Sequence, residues 1–278
     1  MKISIVTVCF NAKYTIEDTF LSIFNQTYKD IELIVIDGAS TDGTLGIVEK
    51  YKDKISHFVS ESDEGIYDAM NKGIKASTGD FIIFLNANDS FYDNEVLEKV
   101  ARVLNENSDV KFLFGDVNYI SEDKKTAQIL TYEKITNDFA ILTNNICHQS
   151  IFYHRSLFEN FGFYSKDYKI YADWDFNIKC LVQNKVRSVY SPIIISKFQL
   201  GGACSNSNAM SFCKIDKKLL IDRYYNKYKF LIQTDSFFKV VFKPLFCPLK
   251  RLLINPIVGL YASQQKYLLN VKKVEIKN

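Results

Sequence analysis

The first ninety residues alternate short apolar runs with amphipathic stretches. Four runs have the length and composition of buried β-strands: residues 2–11, 31–36, 56–60 and 81–85. Between them, residues 15–26 carry apolar side chains at helical spacing, and helices are also predicted over 45–51 and within 63–73. Strands that alternate with helices predict an α/β fold with a largely parallel, doubly wound sheet flanked by helices.

Polar residues follow each predicted strand, and Asp89 comes soon after the buried strand Phe81–Leu85. The carboxyl ends of parallel strands meet at one edge of the sheet, where open α/β sheets bind ligands. Each polar residue alone is explained as well by a helix cap or a turn. Four such loops in succession favour a nucleotide site. A carboxylate there could hold Mg²⁺ or Mn²⁺ together with substrate phosphates.

The polar loops and the strands before them resemble family 2 glycosyltransferases, which have the GT-A nucleotide-sugar fold. Within that family, the chain resembles small bacterial enzymes that build capsule, O-antigen or exopolysaccharide. The resemblance spans roughly the first 200 residues. It rests on five segments: residues 6–11, 34–44, 64–73, 78–90 and 172–175.

The resemblance implies a role for individual residues. Asp89 would be the metal ligand and Asp173 the catalytic base, placed just before a helix that starts near Trp174. Asp37 would accept a hydrogen bond from the nucleobase of the donor, typically uracil. The residues implied to bind the nucleotide-sugar are Val8, Phe10, Asn11, Asp37, Asp68, Asn71, Asn86, Ala87, Asn88 and His148.

The chain departs from the family pattern at three places. The metal segment has Asn86 and Asn88 where the family usually has carboxylates, so a cation would depend more on the donor's diphosphate. Met70 replaces a basic residue that is often found there, and Ala172 replaces the Glu that commonly precedes the base.

One carboxylate for the metal and one for the base suit a single displacement with inversion. The metal offsets charge on the leaving phosphate, and the base takes the proton of the acceptor hydroxyl. Asp175 is the rival to Asp173 as the base. His148 could contact the donor diphosphate, the metal or the acceptor, or it could be a structural histidine. Zinc is not expected, because the chain lacks paired Cys or His ligand spacing.

Charge divides the chain unevenly. Residues 210–278 contain 14 Lys and Arg against 4 Asp and Glu, while the preceding residues contain 21 against 28. Within the basic part, residues 237–254 interleave cations with apolar side chains, and prolines at 244, 248 and 256 divide it into short helical pieces. These pieces could lie on an anionic membrane surface, or they could pack on the catalytic domain. No nucleic-acid-binding motif accompanies them.

The remaining features predict a cytoplasmic enzyme on the inner face of the membrane. There is no signal peptide, the six cysteines lack framework spacing, and no apolar run reaches the roughly 18 residues of a membrane span. The predicted domains are a catalytic domain at 1–205, with a nucleotide-sugar half (1–110) and an acceptor and base half (111–205). A helical, basic appendage follows at 206–278.

We therefore expect a metal-dependent, inverting hexosyl- or N-acetylhexosaminyltransferase. Its donor would be a nucleotide-sugar, typically UDP-linked, and its acceptor a saccharide, expected to be lipid-linked. Two alternatives differ in class. One is a catalytically silent scaffold or sugar-nucleotide binder, which the sparse metal segment suggests. The other is a nucleotidyltransferase, which would normally carry a Gly-rich loop where this chain has residues 9–13 without glycine.

Overall fold

The computed structural model describes residues 1–121, 126–199, 209–225 and 270–275. Within these ranges, ten strands form one sheet. They are β1 (Ile3–Cys9), β2 (Ile31–Asp37), β3 (His57–Ser60), β4 (Phe81–Phe84), β5 (Asp89–Phe91), β6 (Phe112–Ile120), β7 (Thr126–Thr131), β8 (Ile151–His154), β9 (Ser188–Gln199) and β10 (Asn270–Glu275).

Eight α-helices accompany the sheet in the part of the chain that the structure describes. They are α1 (Ile16–Phe24), α2 (Thr44–Lys50), α3 (Ile66–Ala76), α4 (Val96–Glu106), α5 (Asp138–Thr143), α6 (Ser156–Phe161), α7 (Ala172–Ile178) and α8 (Ala209–Leu220). π-Helical turns continue α7 over Lys179–Gln183 and α8 over Ile221–Tyr225. Over the described residues, no helix is long and apolar enough to cross a membrane.

The first four strands lie in the order β3-β2-β1-β4, and all of their pairings are parallel. This confirms the predicted α/β class with a largely parallel, wound sheet. Beyond β4 the pairing becomes mixed. Strand β8 lies antiparallel between β4 and β6, β6 pairs with β7, and β9 runs parallel to β6 and carries β5 on its other side.

Alternation along the strands divides the core between the two faces of the sheet. Val6, Val8 and Phe84 belong to the cluster that contains α3 and α7. Ile3 and Ile5, which alternate with Val6 and Val8 along β1, belong to the cluster under α1 and α4. Successive side chains of a strand point to opposite faces, so apolar residues on both phases require helices on both sides.

Helix α3 lies unusually close to β1. A Cβ added at Gly73 would stand 2.3 Å from Cγ1 of Val6. Glycine at this position allows α3 to pack directly on the central strand, and α3 carries three polar or aromatic groups of the site described below.

The C-terminal part of the chain contributes to this same body. Helix α8 buries Leu220, and the π-helical turn after it buries Tyr224, in the cluster that contains α7. The predicted helical appendage at 206–278 stays a prediction. Strand β10 was not predicted; it pairs antiparallel with β7 at the edge of the sheet. The proline-separated pieces predicted over 237–254 lie outside the described residues. The boundary at 205 stays a prediction.

Candidate active site

Three loops at the carboxyl edge of the parallel strands contain residues with unusual backbone angles. Asn11, Ala39 and Asn88, which follow β1, β2 and β4, have φ of 50°, 63° and 103°. Non-glycine residues seldom adopt this left-handed region, and they concentrate at ligand sites, where surrounding contacts stabilise them. The strained loops therefore coincide with the edge at which the sequence predicts the nucleotide site.

Hydrogen bonds join the first two loops. The Asn11 N–H donates to Oγ of Ser40 (2.7 Å), and the Thr41 N–H donates back to Oδ1 of Asn11 (3.0 Å). Val8 is buried, whereas Phe10 is 64% exposed. The Phe10 ring is thus available to a ligand at this edge, while Val8 lies beneath it in the strand.

Asp37 is fully buried at the end of β2. Its carboxylate accepts hydrogen bonds from the N–H and Oγ of Ser40 (2.8 and 2.5 Å) and from Oγ of Ser60 (2.7 Å). Burial, followed by the nearby Asp37 charge, raises the pKa of the Cys9 thiol well above its usual value. Asp37 therefore joins the ends of three strands; its predicted contact with the nucleobase stays a prediction.

The two residues predicted from the third segment are bound to the protein in different ways. Asn71 donates to the carbonyl of Tyr164 (2.9 Å) and accepts from the Tyr164 N–H (3.0 Å). Asp68 pairs with Lys166 (3.5 Å) and Lys72 (3.6 Å) near the surface. The structure thus uses both polar groups of Asn71 to bind a neighbouring loop and does not bring them to the segment that follows β4.

The segment Asn86–Asp89 is a tight turn bound to β1 and α1. The Ala87 N–H donates to the Val8 carbonyl (3.1 Å), and the Asp89 N–H donates to the Asn86 carbonyl (2.9 Å). Thr19 of α1 accepts from the Asn88 N–H (3.2 Å) and donates to the Asp89 carbonyl (2.8 Å). The turn is therefore positioned from two sides before any ligand arrives.

Asp89 is only 4% exposed, and Gln149 donates to its Oδ2 (3.0 Å). Burial raises the pKa of this carboxyl to about 7, against the opposing effect of the Gln149 hydrogen bond. Within the described ranges, no cluster of three or more His, Cys, Asp and Glu residues could hold a metal. A cation at this turn would consequently need ligands from a bound substrate.

Asn86 offers a second hard oxygen. Its Oδ1 is buried with no hydrogen-bond partner, and a buried polar oxygen without a partner is costly unless a ligand satisfies it. One carboxylate and one amide oxygen fit the preference of Mg²⁺ or Mn²⁺ for oxygen ligands. The residues present thus fit a cation that substrate phosphates help to bind.

His148 connects the turn at Asn86–Asp89 to the predicted catalytic base. This turn is called the donor turn below, because the sequence predicts that it binds the donor. Its Nδ1 lies 3.1 Å from Oδ2 of Asp173, and its Nε2 lies 3.0 Å from Nδ2 of Asn86. A carboxylate only accepts, so in neutral His148 the proton resides on Nδ1 and Nε2 accepts from Asn86. This arrangement directs Oδ1 of Asn86 away from the histidine and places His148 within the site.

Asp173 lies in the first turn of α7, which begins at Ala172, two residues earlier than predicted. Besides His148, its carboxylate accepts from the Trp174 N–H (2.8 Å) and the Tyr67 hydroxyl (3.2 Å). Asp173 is 4% exposed. In this first turn of α7, the helix dipole interacts favourably with an acidic side chain, and His148 connects Asp173 to the turn at Asn86–Asp89.

Asp175 has different surroundings. It accepts from the hydroxyls of Tyr168 (3.1 Å) and Tyr224 (2.8 Å) and pairs with Arg223 (2.9 Å). Two of these three partners follow α8. The structure therefore brings Asp173 to the donor turn and Asp175 to the C-terminal helix.

Sequence reasoning missed several residues around this site. Tyr67 and Gln149 are next to Asp68 and His148 in the sequence. Their polar side chains at those neighbouring positions are the only sequence signal that could have identified them. Asp216 and Arg223 belong to no motif, and only the packing of α8 on α7 reveals them.

Comparison with known proteins agrees with this geometry. The family model described as Glycosyl transferase family 2 matches residues 4–162. A PGL/p-HBAD biosynthesis glycosyltransferase of Mycobacterium bovis is 33% identical over 207 residues, covering 73% of this chain and 79% of that protein. The Escherichia coli protein WfgD, a UDP-Glc:alpha-D-GlcNAc-diphosphoundecaprenol beta-1,3-glucosyltransferase, is 27% identical over 74% of this chain and 80% of its own length.

Solved structures share the fold. S. aureus TarS 1–349 in complex with UDP-GlcNAc aligns with a TM-score of 0.64 and 19% identity, over 96% of this chain and 80% of that one. The mannosyltransferase PcManGT from Pyrobaculum calidifontis, in complex with GDP-Man and Mn²⁺, aligns with a TM-score of 0.59 and 15% identity over the same shares. The chain belongs to glycosyltransferase family 2 and is a glycosyltransferase with the GT-A fold.

Proposed function

We propose that this protein transfers a hexosyl or N-acetylhexosaminyl group from a UDP-sugar to a saccharide acceptor, with inversion at the anomeric carbon. The observation that carries this proposal is the bridge from Asp173 through His148 to Asn86. It links a buried carboxylate to the turn that follows β4, so a base and a donor-binding segment lie on opposite sides of one imidazole.

The reaction would be a single displacement. The acceptor hydroxyl loses its proton to Asp173 while its oxygen forms a bond to the anomeric carbon, and the bond from that carbon to the diphosphate oxygen breaks. The nucleoside diphosphate leaves with the electron pair. His148 donates to Asp173 in the resting site, and the Tyr67 hydroxyl lies between the Asp173 carboxylate and the Ile170 carbonyl. Both contacts fix the direction of the carboxylate. Positioned bases of this kind contribute about 10²- to 10⁴-fold to a rate.

Donor binding is assigned to the strained loops. Phe10 would stack on the nucleobase above Val8, and Asn11 and Asp37 would contact the nucleoside. The turn containing Asn86, Ala87 and Asn88 would face the ribose and diphosphate, and Asp68, Asn71 and His148 complete the proposed set. A Mg²⁺ or Mn²⁺ ion held by Asp89 and Asn86 would neutralise charge on the leaving diphosphate.

The proposed acceptor is a lipid-linked saccharide at the inner face of the membrane. The related E. coli enzyme is named for a diphosphoundecaprenol acceptor, and residues 210–278 carry a net charge of +10, from 14 cationic and 4 acidic side chains. Cations of this number favour an anionic surface. We therefore propose peripheral association with the membrane and no nucleic-acid partner.

Two measurements test the proposal. Calorimetric titration with UDP, GDP, CMP and dTDP, with Mn²⁺ or with a chelator, should show that UDP binds most tightly and that metal strengthens its binding. Tighter binding of another nucleotide would contradict the UDP assignment, and equal affinity with a chelator would contradict the cation site.

The base is tested by matched substitutions. Asp173→Asn should keep UDP affinity within a few-fold and lower kcat by about 10²-fold or more. Asp175→Asn should lower kcat much less, because its carboxylate is bound by Tyr168, Arg223 and Tyr224. A larger kcat loss in Asp175→Asn would reverse the assignment, and UDP binding without turnover in the unaltered protein would contradict the proposed reaction.

A further inference from the structure

Helix α8 contains a buried carboxylate with unusual partners. Asp216 is 0% exposed, and its Oδ2 accepts the backbone N–H groups of three successive residues: Lys169 (3.0 Å), Ile170 (2.6 Å) and Tyr171 (3.0 Å). Successive N–H groups that converge in this way form an anion-binding concavity. The bonds are charge-assisted and therefore about twice as strong as neutral ones.

The three N–H groups belong to the loop that leads directly into Asp173. Tyr171 is the residue before the first turn of α7, and Asp173 follows two positions later. On its other side, the Ile170 carbonyl accepts from the Tyr67 hydroxyl, which also contacts Asp173. The loop is thus bound between α8 and α3, and α3 belongs to the nucleotide half.

A second contact from the same C-terminal segment reaches α7 itself. Arg223 and Tyr224 bind Asp175 in the first turn of α7. Tyr224 is 2% exposed and packs in the same cluster as Phe176. The segment 209–225 therefore contacts α7 at two points that flank Asp173, one before it and one after it.

We propose that Asp216 is a positioning residue for the transfer reaction, and that α8 sets the placement of the Asp173 carboxylate. This inference rests on the proposed function for its effect on rate, since Asp173 must act as the base. The placement itself does not depend on that function. Asp216 contacts neither donor turn nor acceptor; it acts through the backbone of Lys169–Tyr171.

The direction of the effect follows from the geometry. An asparagine at 216 keeps one acceptor oxygen but loses the charge that three N–H groups share. The loop would loosen, and Asp173 would move relative to Asn86 and His148. Small displacements of a positioned group are costly in rate. The loops after β1 and β2 are joined to each other by the hydrogen bonds of Asn11 with Ser40 and Thr41, which the substitution leaves in place. Asp216→Asn should therefore lower kcat by about 10- to 100-fold and leave the donor KM and the UDP affinity within about three-fold.

A spectroscopic signal reports the placement without any turnover. Trp174 is the only tryptophan of the chain. It follows Asp173, and its indole N–H donates to the Ile141 carbonyl (2.8 Å). A shift of the first turn of α7 should move the Trp174 emission to longer wavelength and increase its quenching by acrylamide.

The experiment compares Asp216→Asn with Asp222→Asn in the full chain. Asp222 is exposed on the same segment, so the second variant makes the same chemical change without touching the loop. The expected result is a lower kcat and altered Trp174 emission in Asp216→Asn alone. Wild-type kcat and emission in a folded Asp216→Asn protein would overturn the proposal, as would a parallel loss of UDP binding, which would indicate a general structural role.

Two additions keep the test decisive. Arg223→Gln removes the second, half-exposed contact and should produce the same changes to a smaller extent, which provides a result if Asp216→Asn does not fold. If Trp174 emission changes in Asp216→Asn while kcat does not, then α8 places α7 but Asp173 is not the base, and the proposed function fails separately.

Discussion

The network around Asp175 should stabilise the protein measurably. Asp175 is 1% exposed and binds two tyrosine hydroxyls and the Arg223 guanidinium. A hydrogen bond to a charged group contributes about 1.5–3 kcal/mol, compared with about 0.5–1.5 kcal/mol for a neutral bond. Asp175→Asn makes the two tyrosine bonds neutral and removes the ion pair with Arg223, which is about 3 kcal/mol in total.

Arg223 reduces this figure, because 45% of its side chain is exposed and solvent screens an exposed charge. We therefore expect Asp175→Asn to lower the free energy of unfolding by about 2–3 kcal/mol. For a chain of this size that corresponds to a Tm decrease of about 4–12 °C.

Urea unfolding followed by circular dichroism, together with calorimetric Tm values, measures the loss. The exposed Asp222→Asn variant is the control and should stay within about 0.5 kcal/mol of the unaltered protein. An Asp175→Asn protein that unfolds within the same 0.5 kcal/mol would refute the reasoning, since the buried network would then contribute nothing beyond its neutral counterpart. A double-mutant cycle with Arg223→Gln isolates the ion pair.

Two further predictions concern other regions. Burial would raise the pKa of Glu32, but hydrogen bonds from Lys2, Ser4 and Thr78 outweigh it and lower the pKa from 4.5 to about 2; Glu32→Gln should therefore cost about 2–3 kcal/mol at pH 7. That difference in urea stability should vanish as the pH falls from about 4.5 to about 2, and a pH-independent difference would contradict the ionic origin. The membrane proposal is tested by replacing Lys239, Lys243, Lys250 and Arg251 with Gln in the full chain. At about 1 kcal/mol per cation, the affinity for anionic vesicles, measured by sedimentation, should fall at least about 10-fold. The same change at the exposed lysines 50, 52, 54 and 75 is the control; equal weakening by both sets would contradict a role for the tail.

The N-terminal half of the fold was predictable because its signals are local. Apolar runs, turn residues and helical spacing each arise within about ten residues, and alternating strands and helices predict the parallel pairing of β1 to β4. Their order, β3-β2-β1-β4, comes from the structure. Strand β10 could not be predicted in this way. It pairs with β7, more than 130 positions earlier in the chain, and no local pattern encodes so distant a partner.

In the candidate site too, some residues are identified from local sequence and others only from tertiary packing. The loops that carry Asn11, Asp37 and Asn86–Asp89 are identified by their positions after strands. The contact of His148 with Asp173 and Asn86 depends instead on how a short 3₁₀ turn at His148–Ser150 packs against α7 and the turn after β4. Asn71 has a contact that its motif position does not reveal: both of its polar groups bind Tyr164. Its predicted contact with the donor stays a prediction.

Helix geometry explains why the two aspartates of α7 differ so completely. Successive residues of an α-helix are rotated by about 100°, so residues two apart point in nearly opposite directions. Asp173 and Asp175 therefore cannot both face the donor turn, and the sequence alone does not say which one does. The side that α8 covers decides it: Arg223 and Tyr224 occupy the face of Asp175, which leaves Asp173 to face His148. The proposed role of Asp173 as the base and the position of α8 thus depend on one packing arrangement.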